Sequence, residues 1–138
     1  DARAMAEWLR ALPPSGDPVA KSKVAPAAVM ARGGEVYRDQ CAQCHGDEGL
    51  GKAGAFPALA GNRAVRMAEP LNLIQIVLHG GYLPATRGNP RPFGMPPFRQ
   101  TLSDVDVAAV LSFIRGSWDN RAGRVDVVDV HQVRERRG

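Results

Sequence analysis

The residues with the clearest chemistry form the run Cys41-Ala42-Gln43-Cys44-His45. Two thiols three positions apart share one face of a helix. That spacing lets both sulfurs reach the two vinyl groups of a single porphyrin and form thioethers. The next residue, His45, is then carried under the ring, where an imidazole nitrogen can bind iron. C-x-x-C-H is the attachment pattern of c-type haem, and one covalently bound haem c through Cys41 and Cys44 is the expectation. Other readings of the run are weaker. A redox C-x-x-C belongs in a βαβ context, and this chain reads as helical. A structural zinc site takes four protein ligands. The two cysteines and His45 supply three, and the chain holds no further cysteine.

A sixth iron ligand would come from Met5, Met30, Met67, Met95, His79 or His131. Met95 is favoured. It sits in Phe93-Gly94-Met95-Pro96-Pro97-Phe98, in a loop and off any helical stripe, whereas methionine that fills a core normally keeps helical spacing. The flanking prolines stiffen the loop and remove backbone donors, so the loop can hold a thioether against iron. His79 falls on the polar stripe of a helix and is expected at the solvent face. Met67 is cut off by Pro70, Met5 and Met30 belong to the first helix and the linker, and His131 lies in the tail.

The elements that must position these groups follow from pattern. Met5, Trp8, Leu9 and Leu12 form one stripe, so residues 1–12 read as a short amphipathic helix. Residues 13–30, with prolines at 13, 14, 18 and 26, read as a semi-rigid linker. The compact part is expected from 31 to 118. Its first helix runs from about Gly34 to Cys44, with Val36, Tyr37, Gln40, Cys41 and Cys44 on one face. The glycine-rich stretch 46–62 is a loop that lets backbone pass close to the haem. Leu71 to His79 is a helix with one thin polar stripe of Asn72, Gln75 and His79, ended by Gly80-Gly81. Residues 82–98 form a long proline-rich loop. The last strong helix starts after Ser103, with Asp106 completing a capping box and Leu102 and Val107 forming a hydrophobic staple. Val107, Val110, Leu111 and Ile114 make its apolar face, and it should stop at Gly116. Residues 119–138 read as an irregular tail with one helical turn near Asp129 to Arg136. No β-strand is expected.

The chain has 138 residues, about one domain, and its 44% apolar share is enough for a packed core. No apolar run reaches the roughly 18 residues of a membrane span. The net charge of +4 comes from scattered arginines rather than a cluster, which argues against nucleic acid as a partner. The start at Asp1 reads as a processed chain or a fragment.

Together these residues resemble class I cytochromes c, over about Gly33 to Asn120. The resemblance rests on Gly34 and Tyr37, the C-x-x-C-H run, Pro57 in Phe56-Pro57-Ala58-Leu59, Met95-Pro96, and the last helix with Phe113. It implies an all-α fold packed around one haem. It implies a crossing of the first and last helices near Gly34 and Phe113. It also implies that the Pro57 carbonyl accepts a hydrogen bond from the proximal His45 ring. Leu59, Val77, Leu78, Phe93 and Phe98 are the candidates for the haem pocket wall.

A narrower resemblance adds detail. The runs MPPFRQTLSDVDVAAVLSFIRGSWDN and MAEWLRALPP look like the last haem domain, and the helix closing the domain before it, in triple-haem cytochrome subunits of periplasmic dehydrogenases. One departure is Asp119, where such subunits usually carry glycine. The resemblance implies an electron carrier, not an enzyme, with His45 and Met95 on the iron. It would relay electrons from a dehydrogenase or an adjacent haem domain to quinone or another carrier. The location implied is the periplasm, with membrane contact through partner subunits. Arg87, Arg91 and Arg99 flank the methionine loop, where they could meet haem propionates or an acidic partner. The alternative is a haem peroxidase or small-ligand sensor with a labile sixth ligand.

Overall fold

A computed structural model describes residues 1–12, 23–88 and 90–136. The expected linker 13–30 therefore falls partly outside the described residues. The order of elements is α1 (Ala2–Ala11), α2 (Ala27–Gln40), α3 (Ala42–His45), α4 (Arg63–Arg66), α5 (Leu71–His79), β1 (Gly81–Tyr82), β2 (Gly94–Met95), α6 (Asp104–Gly116) and α7 (Val127–Glu135). This is an all-α fold with long loops and one minimal strand pair. Among the described residues no helix is long and apolar enough to cross a membrane.

α1 is capped by the Asp1 carboxylate, which accepts from the Arg3 N–H at 3.0 Å. Its apolar stripe is open to solvent, with Met5, Trp8, Leu9 and Leu12 all exposed. α2 begins at Ala27, directly after Pro26, and so claims residues expected in the linker. Proline just ahead of an alanine-rich run supplies a φ that suits a helix start. The helix breaks at Cys41 and resumes as α3.

α2 and α6 cross at close range. A Cβ added to Gly33 would lie 2.2 Å from the Ala109 carbonyl oxygen, while one added to Gly34 would lie 3.3 Å from the Phe113 ring. The crossing is thus where the family resemblance implies, but Gly33 is its tightest point. α6 starts as its sequence dictates. Ser103 accepts from the Asp106 N–H, and the Asp106 carboxylate accepts from the Ser103 N–H. Leu102 and Val107 are both buried beside this cap.

Two apolar clusters form the core. The first joins α5, α6 and α7 through Ile74, Leu78, Val107, Leu111, Val130 and Val133. The second centres on Tyr37, Val65, Val110 and Ile114, where Trp118 packs edge to face on Tyr37 and Phe113 at 5.1 and 5.7 Å between ring centroids and Tyr37 tilts against Phe113 at 5.5 Å. The buried Arg115 guanidinium ties the end of α6 to its surroundings by donating to the carbonyls of Gly123, Val65 and Met67.

Two further features differ from the sequence expectation. The segment expected to be a mostly irregular tail carries a helix of nine residues, α7, and buries Val125, Val130 and Val133. A strand pair also exists, antiparallel, with Gly81 opposite Met95 and Tyr82 opposite Gly94. Two residues per strand are too few for an alternating pattern to show in sequence.

Candidate haem site

The site is built from the end of α2 onward. The Cys41 N–H donates to the Tyr37 carbonyl at 2.9 Å, and the His45 N–H donates to the Cys41 carbonyl at 3.0 Å. One tight helical turn therefore sets Cys41, Cys44 and His45. The Tyr37 hydroxyl donates to the Gly46 carbonyl at 2.6 Å and fixes the exit from that turn. Burial, and then the charges of Cys41, Asp47 and Glu48, push the Tyr37 phenol up to about 12, so it stays a donor. Burial also pushes the Cys41 thiol up to about 11, with Cys44 adding to the rise.

The loop after α3 folds back on the histidine. The Gly51 N–H donates to the His45 carbonyl at 2.7 Å, and Lys52 and Phe56 exchange backbone hydrogen bonds at 2.9 and 2.8 Å. This turn brings the Pro57 carbonyl to 2.9 Å from His45 Nδ1. With Nδ1–H as donor there, Nε2 keeps its lone pair free.

The opposite wall comes from the end of α5, the strand pair and the methionine loop. The Phe98 N–H donates to the Val77 carbonyl at 2.9 Å and the Arg99 N–H to the Leu78 carbonyl at 3.1 Å. Met95 packs against the first core cluster and also lines the space facing His45. Between the walls is a cleft of about 240 Å³. Cys41, Cys44, His45 and Pro57 line it together with Ile76, Tyr82, Phe93, Met95 and Phe98. Phe56 and Phe93 meet across its edge at 5.0 Å between ring centroids.

The residues present fit a haem. Two thiols, an imidazole and a thioether line one cleft. The lining is apolar yet left open, with Tyr82 85% and Phe93 58% exposed. Apolar surface of this kind is what a flat macrocycle would cover.

The cleft gathers Cys41, Cys44, His45, Pro57, Phe93, Met95 and Phe98 from the residues singled out in the sequence. Leu59, Val77 and Leu78 do not line it. Leu59 packs against the second cluster, and Val77 and Leu78 are buried in the first. Ile76, Tyr82 and Phe56 line the cleft without having been singled out. An exposed apolar residue on α5 and an aromatic beside Gly80-Gly81 were the available signals. None of the other candidate sixth ligands lines the cleft. His79, Met5 and Met67 are exposed, Met30 lies beside Gly116, and His131 faces Asp104 at 3.1 Å. Arg87 and Arg91 are exposed, whereas Arg99 is half-buried and donates to the Arg134 carbonyl.

Residues 30–118 match the cytochrome c family. The chain is 37% identical to the cytochrome c subunit of a quinone-type alcohol dehydrogenase from Gluconobacter oxydans, over 97% of this chain and 30% of that protein. It is 41% identical to the gluconate 2-dehydrogenase cytochrome c subunit of Pantoea cypripedii, over 75% of this chain and 24% of that protein. It is 38% identical to cytochrome c-552 of Thermus thermophilus, over 67% of this chain and 64% of that protein. The chain thus spans less than a third of the dehydrogenase subunits it resembles.

Proposed function

The chain belongs to the cytochrome c family and is an electron carrier, and from that premise we propose that it holds one haem c through Cys41 and Cys44, with His45 and Met95 as axial ligands. The observation that carries this reading is the shared cleft. Of all methionines in the chain, Met95 alone lines the space that His45 also lines.

The residues divide the work in a simple way. When bound, the haem iron takes up and gives back one electron. Cys41 and Cys44 would anchor the macrocycle to the α2–α3 break and to α3. His45 is oriented by its Pro57 hydrogen bond, which fixes the tautomer and raises the ring's basicity. Met95 supplies a thioether, a ligand that raises the reduction potential in His/Met cytochromes. Phe93, Phe98, Ile76 and Tyr82 exclude water from the iron's surroundings. With His45 and Met95 both holding the iron, no position would be left for a substrate, which favours electron transfer over the peroxidase or sensor alternative.

The names of the dehydrogenase subunits above support a role as one haem domain of a larger cytochrome subunit. In that role it relays electrons from a dehydrogenase or a neighbouring haem domain to quinone or another carrier, in the periplasm. We assign residues 31–118 to the haem domain, with 119–136 as a buttress packed into its core. The open apolar stripe of α1 supports its assignment to the end of a preceding haem domain.

Rapid mixing of the oxidised holoprotein with a reduced quinoprotein dehydrogenase tests the relay. Reduction of the haem on the timescale of dehydrogenase turnover is expected. An intact haem that stays oxidised would rule out the relay.

A further inference from the structure

α7 lies beyond the segment that matches the cytochrome c family, yet it is bonded to the chain that follows Met95. Arg134, with its side chain 17% exposed, is the hub. Its Nε donates to Asp104 Oδ1, its Nη1 to the Arg99 carbonyl, and its Nη2 to the Leu102 carbonyl at 2.8 Å. Arg99 returns a bond, its Nη2 donating to the Arg134 carbonyl at 2.6 Å. Val130 and Val133 of α7 belong to the cluster against which Met95 and Phe98 pack.

Pro96 and Pro97 carry no N–H. The first backbone donors after Met95 are therefore Phe98 and Arg99, which bond to the end of α5. The opposite side of that segment, the Arg99 and Leu102 carbonyls, is held by Arg134. A thioether is a neutral ligand on a loop, so its hold on a metal depends on how firmly the loop is placed.

We propose that Arg134 is a positioning residue for Met95, anchoring the Met95–Leu102 segment to α7 so that the thioether stays facing His45. A planar guanidinium serves three acceptors in fixed directions, which a lysine ammonium does not reproduce. Without it, two carbonyls and the Asp104 carboxylate lose a partner in a half-buried setting. The inference rests on Met95 being the sixth ligand.

The test compares holoprotein with Arg134→Leu, Arg134→Lys and Val110→Ala, each well below its Tm. Val110→Ala truncates the other core cluster and serves as a destabilised control. Both Arg134 variants should weaken the far-red sulfur-to-iron band and speed carbon monoxide binding to the ferrous protein by about tenfold, the scale of one lost buried hydrogen bond. Val110→Ala should lower Tm and leave both readouts as in the parent. If Arg134→Leu does not fold, Arg134→Lys carries the comparison. Unchanged readouts in the Arg134 variants, or equal changes in Val110→Ala, would overturn the proposal. Met95→Ala separates the two layers. Loss of the band there with retention in the Arg134 variants rejects only the role of Arg134, whereas retention in Met95→Ala rejects the ligand itself.

Discussion

His45 Nδ1 stands 2.9 Å from the Pro57 carbonyl oxygen, and the glycine that permits this contact is Gly51. At Gly51 φ is +65°, and an added Cβ would lie 2.5 Å from the Phe56 oxygen and 2.7 Å from the Pro57 oxygen. Gly51→Ala should therefore displace the Pro57 carbonyl from the imidazole. A less basic imidazole stabilises ferric iron less, so the reduction potential should rise. A tenfold change in the ratio corresponds to about 59 mV for one electron, and a rise of tens of millivolts is expected by redox titration. An unchanged potential in a folded variant would contradict the role of this hydrogen bond.

Gly33 and Gly34 should respond differently to alanine. At Gly33 the new methyl would meet backbone at 2.2 Å, and at Gly34 a ring edge at 3.3 Å. Gly33→Ala has to push α2 off α6 and should cost about 3 kcal/mol or more, as overpacking does. Gly34→Ala should cost about 1 kcal/mol or less, with the better helix propensity of alanine offsetting a small shift of Phe113. Denaturant unfolding of the two variants checks the order.

Asp119 adopts φ +62°, a region where a side chain is strained and glycine is not. Asp119→Gly should raise stability by about 0.5–1 kcal/mol. The neighbouring Asn120 must be kept, because its buried amide donates to the Ile114 and Leu59 carbonyls and accepts from the Gly61 N–H. Asn120→Ala should cost about 2–4 kcal/mol, since three groups lose a hydrogen bond and only the Leu59 carbonyl keeps another, from the Asn62 N–H. Thermal and denaturant unfolding would read both effects.

Acid should weaken the α6–α7 junction. Burial alone would raise the Asp104 carboxyl, but hydrogen bonds from Arg134 and His131 outweigh it and hold the group below its ordinary value. Asp106 is lowered as well, by the Ser103 hydroxyl acting against burial, with Arg32 adding to the effect. A carboxyl depressed in the folded state adds stability that is complete above its unfolded pKa of about 4 and is lost as pH falls through the folded value. Stability should thus drop below about pH 4 on account of these groups. Asp104→Asn should flatten that drop and lower stability at pH 7 by about 1–3 kcal/mol. Unfolding curves collected from pH 7 to pH 3 would show it, and identical pH dependence in the variant would contradict it.

Much of this arrangement was legible in the residues themselves. Ser103 and Asp106 announce the start of α6, and Asn72, Gln75 and His79 mark the exposed face of α5. Met95 stands out because it is off any helical stripe and braced by prolines. What stayed hidden depends on tertiary contact. Val130 and Val133 keep helical spacing, but the valines from 125 to 130 partly alternate among arginines and aspartates, so the tail showed one helical turn and not the buried nine-residue α7. Arg99 read as a partner for haem propionates or an acidic surface, and Arg134 carried no signal, because nothing local tells that each will meet the other's carbonyl. Ala27 to Met30 looked like linker, because the alanines that favour helix there also follow a run of prolines. Tyr82 and Ile76 gained their place on the cleft only when Gly81 paired with Met95.

The most direct measurement is the optical spectrum of the holoprotein, ferric and ferrous, with and without carbon monoxide. His45/Met95 ligation predicts a low-spin haem c with a far-red sulfur-to-iron band and a ferrous spectrum that carbon monoxide alters only slowly. A high-spin spectrum, or prompt carbon monoxide binding, would mean an open sixth position and would contradict the electron-carrier site built here from His45 and Met95.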